Sequence, residues 1–179
     1  MVYLFLADGF EEIEALCVLD LLRRVKVDIK TVGVTGKIAT GSHGIPVTCD
    51  VLEKEIDVNC DFDMIILPGG LPGAHNLNSS PVVDAFIKKA DIQGKYICAI
   101  CAAPYVLGVR GILKGKRATC YPGFETQLEG ADTVDAGVVR DGNIITARAM
   151  GSATDFALEI VEALLGKGTR EEIKKAIIY

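Results

Sequence analysis

The sequence predicts an α/β fold, in which a mostly parallel central sheet is covered by helices on both of its faces. Short apolar segments, such as Val2–Ala7 and Lys95–Ile100, alternate along the chain with longer amphipathic segments, such as Glu11–Val25. This alternation favours parallel strands, because the crossover between two parallel strands is long enough to contain a helix. With 179 residues, half of them hydrophobic, the chain is expected to form one domain over residues 1–179.

In the first half of the chain, three apolar strands, a hairpin and two capped helices are expected. The strands are Val2–Ala7, Val27–Val34 and Asp63–Leu67. Asp8, followed three residues later by Glu11, has the pattern of a capping box and predicts the start of a helix over Glu11–Val25. The turn-rich segment Lys37–Asp50 suits a β-hairpin. Ser80 before Pro81 predicts a helix that runs to about Ala90.

In the second half, two strands, a hairpin and three helices are expected. The strands are Lys95–Ile100 and Arg117–Tyr121, and the hairpin joins Val138–Arg140 to Asn143–Ala147 through Asp141-Gly142. A short helix, Ala102–Gly108, follows the first of these strands. Ser152 is expected to cap a helix that ends at Leu165, and Thr169 with Glu172 to cap the last helix.

Composition and charge exclude several classes of partner. The net charge is −5 and the isoelectric point is about 5.1, and no basic tract is longer than a pair, so nucleic acid is not expected as the main partner. No apolar run reaches the roughly 18 residues of a membrane span. The first residues lack the pattern of a signal peptide. We therefore expect a cytoplasmic protein whose six cysteines are reduced thiols.

Three segments follow predicted strands and are expected to meet at one edge of the sheet. They are Asp8-Gly9-Phe10-Glu11, Pro68-Gly69-Gly70 and the segment that begins at Cys101. In parallel sheets, ligands bind beyond the carboxyl ends of the strands. If the three strands are neighbours, these segments form one pocket.

Cys101 is the candidate nucleophile of this pocket. It lies between an apolar strand and a short helix, where the first N–H groups of the helix favour a thiolate. This is the position of the nucleophile in an elbow-type active site. The alternative is a small buried core residue, which is a common role of cysteine. Cys98, three residues earlier, points to the opposite face of the strand, so a redox dithiol is not expected.

Glu14 is the candidate acid and base. It begins a helical stripe that is otherwise apolar, and the stripe continues through Val18, Leu21 and Val25. Partial burial of the carboxyl raises its pKa, so that it can hold a proton near neutral pH and move it during a reaction. The alternative is a solvated carboxylate that complements the helix dipole.

Gly69 and Gly70 are candidates for an oxyanion hole, since a glycine backbone can approach a ligand closely and direct its N–H groups at it. The alternative is an ordinary tight turn. Neither His43 nor His75 has a local relation to Cys101, and both are expected at the surface. A zinc site is not expected, because the cysteines lack a second ligand pair.

Taken together, these segments resemble the DJ-1/PfpI (ThiJ) superfamily, in particular its protein deglycase branch. The similarity extends over nearly the whole chain and rests on the segments Asp8–Glu14, Asp20–Arg24, Ile65–Gly70, Gly73–Leu77, Ala99–Pro104 and Asp155–Leu164. The resemblance implies a flavodoxin-like three-layer sandwich, a homodimer and no cofactor. It also implies a site made of Cys101, Glu14, the oxyanion-hole glycines Gly69 and Gly70, and the N–H of Ala102.

The chain differs from the family pattern at three places. Tyr121 stands where the deglycases carry a pocket histidine, and a tyrosine donates hydrogen bonds but is a poor base at neutral pH. Ala149-Met150 replaces a Gly-Pro pair. His43 replaces an arginine that follows a serine near the dimer region. Tyr121 is therefore expected to border the pocket and to bind a substrate oxygen.

The resemblance and the predicted pocket lead to one principal hypothesis and two alternatives. The principal hypothesis is a cofactor-free enzyme of the glyoxalase or deglycase type, in which Cys101 attacks a small carbonyl substrate such as methylglyoxal. The first alternative is a sensor of oxidative stress, or a chaperone, that works through oxidation of Cys101. The second is a peptidase of the PfpI type, which requires a histidine where this chain has Ala102.

Overall fold

The computed structural model describes residues 1–179. The strands are β1 (Val2–Leu6), β2 (Ile29–Gly33), β3 (Ile38–Thr40), β4 (Pro46–Thr48), β5 (Val51–Leu52), β6 (Met64–Leu67), β7 (Tyr96–Ile100), β8 (Arg117–Ala118), β9 (Asp132–Thr133), β10 (Val138–Asp141) and β11 (Ile144–Ala147). The helices are α1 (Glu12–Arg24), α2 (Gly73–Ser79), α3 (Pro81–Gln93), α4 (Pro104–Gly108) and α5 (Ala153–Ala176). None of these helices is both long enough and apolar enough to cross a membrane.

The central sheet has seven strands in the order β10-β11-β7-β6-β1-β2-β5. Every neighbouring pair is parallel except β10 and β11, which form the predicted hairpin. The expected α/β class with a mostly parallel sheet is therefore confirmed. The chain first builds outward from β1 to β2 and β5, and then returns to β6 on the other side of β1. This reversal opens a crevice at the carboxyl ends of β1 and β6, where ligands bind in such sheets.

Two apolar clusters cover the two faces of the sheet, so the architecture has three layers. Side chains alternate along β1, with Tyr3 and Phe5 in one cluster and Leu4 and Leu6 in the other. Residues of α2, α3 and α4 pack in the first cluster, and residues of α1 and α5 pack in the second. Since both faces are buried, the central strands read as continuous apolar runs.

The predicted N-cap of α1, Asp8, is wrong, whereas the predicted first residue of the helix, Glu11, differs by one from the observed Glu12. Glu11 is the N-cap, and its side chain accepts the N–H of Glu14. The Asp8 carboxylate instead accepts the N–H of Thr40 at 2.8 Å. The main chain of the Asp8 loop is engaged in the same way, because Gly9 N–H donates to Thr40 O at 2.8 Å. The loop therefore pairs with the β3–β4 hairpin before the helix begins.

Three further predictions differ from the structure in the second half. The strand predicted over Arg117–Tyr121 is reduced to β8, because Tyr121 N–H turns away to bond Cys101 O. Ser152 makes no side-chain cap, but the predicted end of its helix at Leu165 is confirmed, because the non-helical backbone of Gly166, at φ 85°, divides α5 there. Thr169 does not cap a separate helix, since its hydroxyl donates back to Leu165 O. Helix α2 and strands β5 and β9 are short elements that the sequence did not predict.

Candidate active site

The three segments expected to form one pocket do meet at the crevice. Strands β1, β6 and β7 are neighbours, so the residues that follow them lie side by side. Glu11 N–H donates to Gly69 O at 2.9 Å, which joins the first segment to the second. A Cβ atom added to Gly69 would lie 2.5 Å from the Cβ of Cys101, which joins the second segment to the third.

The Cys101 backbone makes a sharp turn between β7 and α4. Its φ of 64° lies in the left-handed region, which a residue other than glycine rarely adopts. Two main-chain hydrogen bonds hold this conformation: Cys101 N–H donates to Ala147 O at 2.9 Å, and Tyr121 N–H donates to Cys101 O at 2.8 Å. Such strain persists only where the surroundings over-determine it, and it concentrates at functional sites.

The Glu14 carboxyl is buried beside this turn, with only 1% of the residue exposed. Its Oε2 accepts the N–H of Gly69 at 2.9 Å, while Oε1 is buried without a hydrogen-bond partner. Burial, with a smaller contribution from Glu11, raises the pKa of Glu14 to about 7, although the interactions with Cys101 and Gly69 lower it. The expected stripe position and its desolvation are thus present, and Glu14 can exchange a proton near neutral pH.

The Cys101 thiol differs from the sequence-based expectation of a stabilised thiolate. Burial, and then the charge and hydrogen bond of Glu14, raise the pKa of Cys101 to about 12. The N–H groups of Gly70 and Ala102 lower this pKa, but by less. Two buried anions side by side are unfavourable, so the Cys101–Glu14 pair keeps at least one proton between its sulfur and its carboxyl.

The glycines divide their roles in a way that the sequence did not reveal. The Gly69 N–H is already engaged by Glu14, and a side chain at Gly69 would lie 2.7 Å from Glu14 Oε2. Gly70 has a φ of 84°, and its Cα faces the backbone of Glu11. The N–H groups of Gly70 and Ala102 act on the sulfur of Cys101. Of the three expected oxyanion donors, Gly70 and Ala102 are thus available, and Gly69 positions Glu14.

The main chain of Tyr121 lies beside this site, because its N–H donates to Cys101 O, and its side chain is half exposed. The two histidines have other partners. His75 Nδ1 lies 3.0 Å from the Tyr105 hydroxyl, and His43 Nδ1 lies 2.8 Å from Glu12 Oε2. Both side chains are exposed, as expected.

The other cysteine of the Cys98–Cys101 spacing forms no disulfide with Cys101. Cys98 is completely buried in the cluster that packs against α1 and α5. Burial raises its pKa well above the usual value. All six cysteines are free thiols.

One group of side chains has the composition of a metal site. The potential ligand atoms of Glu11, Glu12 and His43 all lie within 4.8 Å of one another. However, Glu11 Oε2 caps α1 through the N–H of Glu14, and the Glu12 oxygens already accept hydrogen bonds from the β3–β4 turn. In this structure, the group forms an ion pair between Glu12 and His43 beside the helix cap of Glu11.

Glu12 and His43 are the residues near the site whose pairing the sequence analysis missed. The sequence shows an acidic helix start and a glycine-rich turn 30 residues later, but no pattern that joins them. Only the pairing of the β3–β4 turn with the Asp8 loop brings the His43 imidazole to the Glu12 carboxylate.

Comparison with known proteins decides the family. The sequence model described as the DJ-1/PfpI family matches residues 1–163. The chain belongs to the DJ-1/PfpI family. The relatives include protein DJ-1beta of Drosophila melanogaster, which is 36% identical over 97% of this chain and 94% of its own length. A Pyrococcus abyssi protein named as a deglycase is 34% identical over 88% of this chain and 95% of its own length.

Some family members are much longer than this chain. DJ-1 homolog B of Arabidopsis thaliana is 38% identical over 96% of this chain, but the match spans only 40% of that protein. DJ-1 homolog A of the same plant is 36% identical over 97% of this chain, and here the match spans 45%. The chain thus spans less than half the length of these two relatives.

Solved structures of the family have the same fold. A DJ-1 superfamily protein from Salmonella typhimurium, crystallised as a cysteine-to-alanine mutant, is 39% identical and superposes with a TM-score of 0.94 over 99% of this chain and 97% of its own. Oxidised DJ-1 from Toxoplasma gondii is 34% identical, with a TM-score of 0.95 over 99% and 97% of the two chains. The flavodoxin-like sandwich implied by the resemblance is therefore confirmed.

Proposed function

We propose that this DJ-1/PfpI family member is a cysteine-dependent enzyme that converts small α-oxoaldehydes, such as methylglyoxal, into 2-hydroxy acids without a cofactor. The observation that carries the proposal is the buried Glu14 carboxyl beside Cys101, with Oε2 held by Gly69 and Oε1 without a partner. A carboxyl in this arrangement can take a proton from the thiol and give it to substrate. The archaeal relative that is named as a deglycase supports an enzymatic role.

In the first step, the Cys101 sulfur forms a bond to the aldehyde carbon as the thiol proton moves to Glu14. The carbonyl π bond breaks, and the oxygen that gains negative charge faces the N–H groups of Gly70 and Ala102. Glu14 then passes the proton to this oxygen, which completes a hemithioacetal. Because the pKa of Glu14 is about 7, the carboxyl can both accept and donate this proton at neutral pH.

In the second step, Glu14 removes the proton from the former aldehyde carbon and passes it to the oxygen of the neighbouring ketone, which gives an enediol. Glu14 then takes the hydroxyl proton of the first carbon and delivers it to the second carbon. The first carbon is oxidised to a thioester of Cys101, and the second is reduced to an alcohol. Water then hydrolyses the thioester and releases the 2-hydroxy acid and the free thiol. The reaction needs no external oxidant, because one substrate carbon is oxidised while its neighbour is reduced.

The proposal is tested by lactate production from methylglyoxal in Cys101→Ser and Glu14→Gln. Both substitutions preserve size and hydrogen-bonding capacity, so folding is expected to be kept. We expect Cys101→Ser to abolish turnover and Glu14→Gln to reduce kcat by about 10²–10⁴-fold. Cys17→Ser is the matched control, since Cys17 is a partly buried thiol near Thr154 and should keep full activity. Full turnover by Cys101→Ser would refute the proposal.

A second candidate function is a sensor of peroxide, favoured by the donors that surround the sulfur. If peroxide oxidises Cys101 to a sulfinate, the N–H groups of Gly70 and Ala102 and a protonated Glu14 can stabilise its oxygens. Mass spectrometry after mild peroxide treatment tests this function. We expect Cys101 to gain two oxygen atoms before the other five cysteines, and oxidation of Cys17 or Cys60 ahead of Cys101 would contradict it.

A further inference from the structure

Glu12 is a second buried carboxylate in the first turn of α1, with only 3% of the residue exposed. Its Oε1 accepts the main-chain N–H of His43 at 2.7 Å. Its Oε2 lies 2.8 Å from His43 Nδ1 and 3.4 Å from Ser42 Oγ. A buried charged group is tolerated where hydrogen-bond partners such as these compensate for the loss of water. Ser42 and His43 belong to the turn of residues 41–45 between β3 and β4, which we name the clamp turn, and the main-chain N–H of Ile45 in the same turn also acts on the Glu12 carboxylate.

The charges of Glu12 and His43 support each other. Burial raises the pKa of Glu12, but the hydrogen bonds from His43, together with those from the main-chain N–H groups of Glu12 and Ile45, more than offset this effect, so the net shift is downward. The hydrogen bond and charge of Glu12 raise the pKa of His43, and Glu11 adds to this shift. Glu12 is therefore ionised at neutral pH, and the contact with His43 is charge-assisted.

The main chain holds the clamp turn in place against the loop that precedes α1. Ser42 N–H donates to Phe10 O at 2.8 Å. Gly41 lies directly against the Glu12 carboxyl group, so a side chain at position 41 would collide with it. The absence of a side chain at position 41 therefore makes room for the Glu12 carboxylate.

The same helical turn carries Glu14, two residues after Glu12. On the side facing the sheet, it is held by the bond from Glu11 N–H to Gly69 O and by the bond from Gly69 N–H to Glu14 Oε2. On its other side, the first turn of α1 is held by the hydrogen bonds between the Glu12 carboxylate and the clamp turn. Because the two residues share one rigid turn, a movement of Glu12 shifts the Glu14 carboxyl relative to Cys101.

We propose that Glu12 and His43 are positioning residues, which hold the first turn of α1 so that the Glu14 carboxyl stays beside the Cys101 thiol. This inference rests on the proposed function for its kinetic consequence. Neither residue is assigned a contact with the substrate. A displacement of about 1 Å of a reacting group can reduce a rate by about 10²-fold, so a weaker clamp should appear in kcat rather than in KM.

The test uses Glu12→Gln, which keeps one acceptor oxygen but loses the charge, and Asp20→Asn as the matched control. Asp20 lies on the same helix and forms an exposed ion pair with Arg24 at 2.7 Å. We expect Glu12→Gln to lower kcat for methylglyoxal by about 10–100-fold, with KM changed less than about threefold. We expect Asp20→Asn to match the wild type. The pH midpoint of Cys101 alkylation by iodoacetamide should shift in Glu12→Gln but not in Asp20→Asn.

His43 supplies a second test that does not depend on the folding of Glu12→Gln, because its side chain is exposed. His43→Ala should lower kcat and shift the alkylation midpoint, while His43→Gln, which keeps a side-chain donor, should restore most of both. An unchanged kcat and alkylation midpoint in Glu12→Gln and His43→Ala would overturn the inference. The alkylation readout separates the two proposals: if Cys101→Ser keeps full turnover, the proposed function fails, whereas the alkylation midpoint still decides the positioning role.

Discussion

Replacement of Glu14 by Gln should change how the stability of the protein depends on pH. Burial holds the pKa of Glu14 at about 7 in the folded protein, against 4.5 for the unperturbed group. Below pH 4.5 both states bind the proton. Between 4.5 and about 7 the unfolded state loses the proton while the folded state keeps it, so the free energy of unfolding falls as pH rises. Above about 7 both states are ionised and the loss is complete.

The size of this effect follows from the same two pKa values. A shift from 4.5 to about 7 corresponds to about 3 kcal/mol of stability that the wild type loses across the window. Gln cannot ionise, and it can still accept the N–H of Gly69. The quantity to compare is the unfolding free energy of the wild type minus that of Glu14→Gln. This difference should be about 3 kcal/mol lower at pH 8 than below pH 4.5.

Urea unfolding followed by circular dichroism measures this difference between pH 5 and pH 8.5, where most of the window is sampled. Asp20→Asn is the control, since it changes an exposed carboxylate on the same helix and should alter stability by less than about 0.5 kcal/mol throughout. If the difference in unfolding free energy between wild type and Glu14→Gln is the same at pH 5 and pH 8.5, the pKa of Glu14 is not raised by burial. The proton transfer derived from that raised pKa then fails.

Four other outcomes are expected. Gly69→Ala places a methyl group 2.5 Å from the Cβ of Cys101 and should lower stability by about 1–3 kcal/mol and also reduce turnover. The control Gly168→Ala meets open space and should change neither. Equal melting temperatures of the two variants would contradict the crowding at Gly69. Tyr121→Phe should lower kcat/KM by less than about tenfold, the value of one hydrogen bond, at unchanged stability. Ser80→Ala removes the acceptor of Val83 N–H and should destabilise the protein by about 1 kcal/mol in urea unfolding. Light scattering should give twice the 19.1 kDa chain mass for the expected homodimer, and a monomer would refute it.

Most of the fold could be predicted because its signals are local. The apolar strands and the amphipathic α1 and α3 follow from the periodicity of the side chains, and the Ser80-Pro81 start of α3 from its chemistry. The elements that were misjudged depend on distant partners. Asp8 has the composition of a helix cap, but the hydrogen bond from Thr40 competes for its carboxylate. The strand expected at Arg117–Tyr121 is shortened because Tyr121 pairs with the Cys101 turn.

The candidate site shows the same division. Cys101, Glu14 and the glycine pair could be selected from the sequence, since each follows a predicted strand or begins an apolar helical stripe. Their pKa values could not be predicted from the sequence in the same way. A cysteine after a strand was expected to ionise readily, whereas burial and the neighbouring Glu14 raise its pKa to about 12. Desolvation depends on every atom packed around the group, and no local pattern encodes it.

The sequence by itself determined the order of strands and helices, the parallel sheet and the residues that follow its strands, because these depend on periodicity and on the preferences of neighbouring residues. Only the tertiary structure decided which of these residues act together. It engages Gly69 N–H with Glu14, leaves Gly70 and Ala102 to act on the sulfur, and joins His43 to Glu12 across 31 residues. Such contacts arise from the packing of elements that are distant in the chain, where hydrogen bonding and burial, rather than local propensity, set the energies.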